Sequence, residues 1–213
     1  MAKKIKILIA DDHAVFRRGL KDILTEHFPG VIIGEAETGQ AAVEQVRKAS
    51  WHIVVLDVTM TGQGGVEVLL NIKQIRPALP VLMLSMHPEE QYALRVLQAG
   101  AAGYITKIKA PLEIVKAIKR VLTGGKYISP SLAGRLMAQL KPGAEKLPHD
   151  RLSNREYQVM HLTSSGKSLK EIGGELSISI QTVSTHRMRI LKKMGLHTSA
   201  ELIRYALENE LVD

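Results

Sequence analysis

The chain of 213 residues contains no cysteine, which excludes disulfides, thiolate metal sites and cysteine nucleophiles. This absence fits a reducing compartment, and we expect a cytoplasmic protein. Aromatic residues are also scarce, at 4% of the chain, which gives little support to binding of RNA or single strands through base stacking. No apolar run approaches the roughly 20 residues of a membrane span, and no signal-peptide pattern precedes the first apolar run. We therefore predict no membrane partner.

Charge is not segregated along the chain. The net charge of +8 is a mild indication of a polyanionic partner. Residues 1–128 carry 17 basic and 12 acidic side chains, and residues 129–213 carry 12 and 9. Net charge alone therefore does not locate a binding surface. The length suggests one large or two small domains, and the hydrophobic content of 45% is sufficient for a core.

Four apolar runs in the first half end on polar side chains. The run Ile53–Leu56 shows no alternation, which is typical of a strand buried on both faces of a parallel sheet. In open parallel sheets, functional groups collect beyond the carboxyl ends of the strands. The polar residues that follow the four runs, in chain order, are Asp11 with Asp12, Asp57, Ser85 and Lys107.

Strand-like and helix-like segments alternate five times through residue 128. This pattern predicts a flavodoxin-like domain, a doubly wound five-stranded parallel sheet with strand order 2-1-3-4-5. The strand order reverses between strands 1 and 3, so Asp11, Asp12 and Asp57 are expected to meet there. A glycine-rich loop at 62–65 follows the third strand, and Pro111 is placed as the first residue of the last helix.

Three clustered carboxylates repel one another, and a hard divalent cation relieves that repulsion. An oxygen-rich site with few protein ligands suits Mg²⁺. Asp57 is then a candidate nucleophile toward phosphorus, with Lys107 and Ser85 as partners of the incoming phosphoryl oxygens. A single strand-end Asp is more often a helix cap, but four functional strand ends in this order argue against that interpretation.

At these residues, the sequence resembles the receiver domain of two-component response regulators. The resemblance implies that Asp57 is the phosphoacceptor and that Tyr104 is the switch aromatic. It also implies Mg²⁺ ligation by Asp11, Asp12, Asp57 and the backbone carbonyl of Thr59. The chain departs from the family pattern after the phosphoacceptor, because Met60-Thr61 replaces Met-Pro and Gly64-Gly65 replaces Asp-Gly. We expect greater loop freedom and an altered phosphorylation lifetime.

The second half is predicted to be a small four-helix domain. We expect a receiver at 1–128, a linker at 129–150 and the helical domain at 151–213. Ser153 and Glu156 have the spacing of a capping box, and Ser168 and Glu171 repeat it. A helix from about 180 to 194 follows a tight turn, and a last helix spans about 200–210. This arrangement is typical of a helix-turn-helix.

The third helix of this domain has two different faces. Val183, Arg187, Ile190 and Met194 form one stripe, with His186 beside it, and are expected to pack inward or along its margin. The opposite face has small residues near its start and cations further along, as a recognition helix requires. Its members are Ser184, Thr185, Met188, Arg189 and Lys192.

This half resembles the LuxR-type helix-turn-helix in the segments Leu152–Glu156, Gly166–Ser168, Lys170–Ile172 and Lys193–Leu196. Together the two halves resemble a NarL/FixJ-type response regulator from end to end. The resemblance implies double-stranded DNA as partner, read in the major groove by a homodimer, and a sensor histidine kinase as phosphoryl donor. It implies base contacts by Ser184, Thr185 and Met188, and phosphate contacts by Lys170, Thr182 and Lys192, with Arg189 on the same face.

Two other functions share part of the pattern. A phosphatase of the haloacid dehalogenase type also uses a strand-end Asp with Mg²⁺, but its motif has a second Asp where this chain has Thr59. It also leaves the second domain unexplained, so we predict that the chain is not an enzyme. A DNA-binding regulator with a phosphate-independent receiver is compatible with the altered 60–65 loop. The interpretation we favour is a transcription regulator controlled by phosphorylation of Asp57.

Overall fold

The computed structural model describes residues 4–60, 64–130, 132–134 and 147–212. These residues form two compact units, one within 1–135 and the other within 136–213. Thr61, Gly62 and Gln63 of the glycine-rich loop lie outside the described residues, as does most of the predicted linker at 129–150. No helix in the described part of the chain is long and apolar enough to span a bilayer.

A five-stranded parallel sheet forms the centre of the first unit, and its order β2-β1-β3-β4-β5 confirms the predicted flavodoxin-like topology. Every residue of β3 and β4 is buried, which agrees with the unbroken apolar runs seen in the sequence. The strands are β1 (Lys6–Ala10), β2 (Ile32–Ala36), β3 (Ile53–Asp57), β4 (Val81–Ser85) and β5 (Gly103–Thr106).

Four helices connect these strands, a fifth follows β5, and together they cover the sheet. They are α1 (Ala14–His27), α2 (Gly39–Lys48), α3 (Gly65–Ile75), α4 (Glu89–Gln98) and α5 (Ala110–Leu122). Helices α1 and α5 contact each other, and their apolar side chains join Ile7, Ile9 and Val55 of the sheet in one buried cluster. Helices α2 and α3 also contact each other. The buried apolar area on these helices holds the strand ends in fixed register.

The helix limits differ from the predicted ones by one or two residues. His13 precedes α1 as its N-cap residue. Pro111 is the second residue of α5, because Ala110 begins that helix. A proline fits this first turn, since the amide it lacks would have no partner within the helix.

A short segment after α5 returns to the sheet, which the sequence pattern did not predict. Tyr127 forms a parallel bridge with Gly103 of β5. The Tyr127 amide donates to Ala102 O over 2.9 Å, and the Tyr104 amide donates to Tyr127 O over 3.2 Å. A Cβ on Gly103 would lie 2.5 Å from Tyr127 O, so only glycine permits this close approach.

The second unit is helical, as predicted. Its described residues form α6 (Asn154–Ser164), α7 (Leu169–Leu176), α8 (Ile180–Met194) and α9 (Ser199–Glu208), preceded by a 3₁₀ turn at Pro148–Arg151. Helix α9 ends two residues before the predicted limit, and Glu210 has a positive φ of 54°. Both predicted capping boxes form, since Ser153 and Ser168 each accept from the amide three residues on and the Glu there bonds back.

The turn between α7 and α8 is tight. Ser177 ends α7 in the left-handed conformation, with φ 53°. A Cβ on Gly173 would lie 2.8 Å from Ile178 O, so glycine allows the chain to fold closely against α7. Ser179 then caps α8, accepting from the Thr182 amide over 3.1 Å. This is the predicted helix-turn-helix geometry.

Candidate functional site

The strand register brings the polar strand ends of the first unit together. Ala10 of β1 lies beside Leu56, so Asp11 follows directly next to Asp57. Asp57 itself is paired with Leu84, the residue before Ser85. Lys107 follows β5, and its amide donates to Ser85 O over 2.6 Å. The four strand ends therefore share one edge of the sheet.

Lys107 joins the two buried carboxylates of this site. Its Nζ lies 2.7 Å from Asp11 Oδ2 and 2.8 Å from Asp57 Oδ2. Asp11 and Asp57 are fully buried, and Lys107 is 5% exposed. Two carboxylates removed from water need a cation to balance their charge, and the ammonium supplies one here.

Burial raises the pKa of Asp57 to about 6, with Lys107 acting against the shift and the charge of Asp11 adding to it. The Thr59 amide donates to Asp57 Oδ1 over 3.2 Å, while Lys107 binds Oδ2. Gly65 approaches the same backbone, because a Cβ there would lie 2.0 Å from Asp57 O. A side chain at Gly65 would therefore displace Asp57.

Ser85 and Tyr104 are connected through the loop that follows β4. Ser85 Oγ accepts from the His87 amide over 3.0 Å. His87 O in turn accepts from the Tyr104 hydroxyl over 2.8 Å. Ser85 is fully buried and Tyr104 is 5% exposed, so the ring of Tyr104 already points inward.

Two residues near the site were missed in the sequence. His13 Nδ1 lies 2.9 Å from Asp12 Oδ1 and 3.1 Å from Asp11 Oδ1. Buried Arg17 donates to the Asp11 carbonyl over 2.7 Å and to Glu37 Oε1 over 2.6 Å, which fixes the backbone of the acidic pair. The position of His13 directly after Asp11-Asp12 was the available signal, whereas nothing local identified Arg17.

Helix α8 of the second unit carries a separate candidate surface. Val183 and Ile190 are fully buried and Met194 is 7% exposed, so the predicted inner stripe packs into the domain. Met188 is 61% exposed. Thr182, Arg189 and Lys192 are also exposed on α8, as is Lys170 on α7, while Ser184 and Thr185 are half-buried.

The two threonine hydroxyls on α8 have local partners. Thr185 Oγ1 donates to Gln181 O over 2.9 Å, and the Ser179 and Thr182 hydroxyls lie 2.8 Å apart. These bonds fix the rotamers of small polar groups on the first two turns. Gln181 is not among the residues predicted from the sequence to contact DNA, yet its exposed side chain lies on the same first turn.

Comparisons with known proteins match the two halves of the chain to two different families. Residues 7–119 match the response regulator receiver domain, and residues 150–206 match the luxR family of bacterial regulatory proteins. The response regulator UvrY of Escherichia coli K12 is 35% identical over 209 residues, which cover 97% of this chain and 95% of that protein. The response regulator GacA of Pseudomonas syringae pv. syringae is 33% identical over 210 residues, 98% of each chain.

Solved structures of response regulators also align with nearly the whole chain. A structure of the RcsB response regulator of Salmonella typhimurium aligns with a TM-score of 0.69 and 26% identity, and it covers 97% of this chain and 98% of that one. The two family matches and the end-to-end relatives agree with the two-domain fold. The chain belongs to the NarL/FixJ-type response regulators, in which a receiver domain controls a LuxR-type DNA-binding domain, and it is a phosphorylation-controlled transcription regulator of that family.

Proposed function

We propose that Asp57 accepts the phosphoryl group, and that a sensor histidine kinase donates it. The observation that carries this proposal is the position of Asp57, fully buried at the end of the central strand with Lys107 Nζ 2.8 Å from Oδ2. A carboxylate oxygen of Asp57 attacks phosphorus, a P–O bond forms, and the P–N bond to the kinase imidazole breaks. Lys107 holds the charge that develops on the phosphoryl oxygens.

The carboxylate cluster suits Mg²⁺. Ligand atoms of Asp11, Asp12 and Asp57 lie within 4.8 Å of one another, and hard oxygen donors are what this cation prefers. We propose that these three carboxylates and the backbone carbonyl of Thr59 hold it. A bound Mg²⁺ supplies positive charge next to the incoming phosphoryl group. Arg17 contributes by fixing the backbone of Asp11.

We propose that Ser85 reports phosphorylation to the rest of the receiver. Its hydroxyl is bound to the His87 amide, and His87 O is bound to the Tyr104 hydroxyl. When Ser85 Oγ turns toward a phosphoryl oxygen, the loop at 85–88 changes its hydrogen bonds and Tyr104 is affected with it. The phosphorylated protein thus populates a second conformation of the same loop.

In this proposal, the helical domain binds double-stranded DNA. Ser184, Thr185 and Met188 of α8 read base edges in the major groove, and Lys170, Thr182, Arg189 and Lys192 lie near phosphates. RcsB structures support this part, because they include an RcsB–DNA complex and two RcsB dimers bound to two parallel DNAs. We propose that this chain also binds as a homodimer, with α9 as the pairing surface. The absence of cysteine fits a protein that binds DNA in the reducing cytoplasm.

The phosphatase alternative lacks its second carboxylate. Thr59 stands two residues after Asp57, and its hydroxyl lies 3.5 Å from Asp57 Oδ1. A threonine at this position is a poor general acid, since its hydroxyl does not ionise near neutral pH. We therefore propose that the receiver holds the phosphoryl group as a signal and does not turn over a substrate.

Incubation with acetyl phosphate and Mg²⁺, followed by intact mass measurement, tests the acceptor. We expect one phosphoryl group on the wild-type chain and none on Asp57→Asn. Asp22→Asn is the matched control, because Asp22 is an exposed aspartate on α1 of the same domain, and it should be labelled fully. Labelling of Asp57→Asn to the wild-type level would assign the acceptor to another residue.

A further inference from the structure

His13 occupies the N-cap position of α1 but does not cap it. Its side chain makes no hydrogen bond to the helix, although this position usually carries a side chain that does. The imidazole instead turns toward the acidic pocket, where Nδ1 contacts Asp11 and Asp12. The side chain is 62% exposed, so the ring forms the solvent side of a pocket whose floor is buried.

The distances from His13 Nδ1 match those between ligands of one metal ion. It lies 2.9 Å from Asp12 Oδ1, 3.1 Å from Asp11 Oδ1 and 4.0 Å from Asp57 Oδ2. With metal–ligand bonds of about 2.1 Å, neighbouring ligands of an octahedron lie about 3.0 Å apart and opposite ones about 4.2 Å apart. All four ligand atoms lie within 4.8 Å of one another.

We propose that His13 is a nitrogen ligand, and that the pocket binds divalent transition cations of the Co²⁺, Ni²⁺ and Zn²⁺ class more tightly than Mg²⁺. Imidazole nitrogen favours these cations, whereas Mg²⁺ selects oxygen donors. With the hydrogen on Nε2, Nδ1 presents its lone pair to the ion. The inference rests on the proposed function, because the same three carboxylates hold Mg²⁺ in both, so the two classes of cation compete for one place.

Lys107 competes with either cation for the buried carboxylates. Its Nζ lies 3.5 Å from His13 Nδ1 and contacts both buried carboxylates. An incoming divalent cation therefore replaces part of the charge balance that Lys107 provides. A transition cation gains an additional bond to His13 in that exchange, and Mg²⁺ does not.

Separate titrations of the full chain with Co²⁺ and with Mg²⁺, followed by calorimetry, test the proposal. The visible absorption of Co²⁺ gives a second measurement, because its bands respond to a nitrogen ligand. We expect Co²⁺ to bind the wild type at least about tenfold more tightly than Mg²⁺. His13→Asn keeps an amide donor for the carboxylates but offers no nitrogen lone pair. It should lower Co²⁺ affinity at least about tenfold and Mg²⁺ affinity less than about twofold.

His27→Asn is the matched control, since His27 is an exposed histidine at the end of α1, and it should leave both affinities unchanged. Unchanged Co²⁺ affinity and bands in His13→Asn would overturn the proposal. An equal loss for Mg²⁺ would also overturn it, because His13 would then only orient the carboxylates. Failure of the wild type to accept a phosphoryl group with Mg²⁺ would instead contradict the proposed function, and the Co²⁺ comparison would stand.

Discussion

Glu156 shows how one buried carboxylate stabilises the DNA-binding domain. It is 3% exposed, and its Oε2 accepts from Lys193 Nζ over 2.6 Å and from the Ser153 amide over 2.7 Å. Burial alone would raise the pKa of Glu156, but the hydrogen bonds from Lys193 and Ser153 outweigh it and hold the pKa below its ordinary value of 4.5. One side chain therefore caps α6 and ties it to α8.

A carboxylate with a lowered pKa stabilises the fold above its unfolded pKa, and this contribution disappears as the pH falls through the folded value. We expect Glu156→Gln to destabilise the domain by about 1–2 kcal/mol at neutral pH. The difference from wild type should shrink as the pH falls below about 4.5. Urea unfolding at several pH values measures it.

Glu208→Gln, on the exposed end of α9, provides the control and should behave as wild type at every pH. A cost of Glu156→Gln that stays constant down to pH 3 would show that the charge of Glu156 is not involved.

At the scale of single residues, the sequence predicted which side chains offer the chemistry of the site better than it predicted the contacts around them. Asp11, Asp12, Asp57, Ser85 and Lys107 were identifiable because each lies at or just beyond the carboxyl end of a strand, and parallel strands end at one edge. Arg17 and His13 were not selected, because their contacts depend on how α1 is rotated against the sheet. Local periodicity does not determine that rotation; the packing of α1 on α5 does.

Among the elements, the loop from β4 to α4 links the proposed acceptor site to Tyr104. Ser85→Ala removes the acceptor for the His87 amide, and Tyr104→Phe removes the donor to His87 O. We expect both variants to be phosphorylated with acetyl phosphate but to gain less DNA affinity on phosphorylation than wild type. Anisotropy with labelled DNA, before and after phosphorylation, measures the gain.

Ser165→Ala is a suitable control, because it removes an exposed hydroxyl at the end of α6 that donates to His161 O. If both loop variants kept the full gain in affinity, coupling would have to follow another path.

Helix α8 separates affinity from sequence preference. Lys192 is exposed, so Lys192→Ala should weaken binding to all DNA sequences alike and lower the salt slope by about 1. Met188 has no hydrogen-bonding group. Because apolar side chains contact the thymine methyl group in the major groove, we expect Met188 to contact a thymine. Met188→Ala should relax preference at one or two base pairs by about 1–3 kcal/mol. Binding to a selected site and to single-base variants, at several salt concentrations, distinguishes the two effects.

The reverse result would contradict this assignment: a sequence-specific loss of binding from Lys192→Ala, or a uniform loss from Met188→Ala.

The start of α8 was predictable from Ser179 as a cap, but its tight approach to α7 was not. That approach depends on Gly173 facing Ile178 O, a contact made only once the turn has formed.

For the whole molecule, one α8 helix reads too few base pairs for useful specificity. A dimer with two related half-sites about one helical turn apart is expected. Footprinting across a selected site, combined with the mass of the complex in solution, measures both quantities. A single short protected patch occupied by a monomer at saturation would contradict the dimer.

The bridge between Tyr127 and Gly103 affects how the receiver is made. Strand β5 is the last strand of the sheet, and an open strand edge can pair with another chain. Tyr127 covers part of that edge through the amide of Tyr104 and the carbonyl of Ala102. During synthesis, the five strands and α5 emerge before this residue does. The receiver therefore gains this protection of the β5 edge only once Tyr127 has left the ribosome.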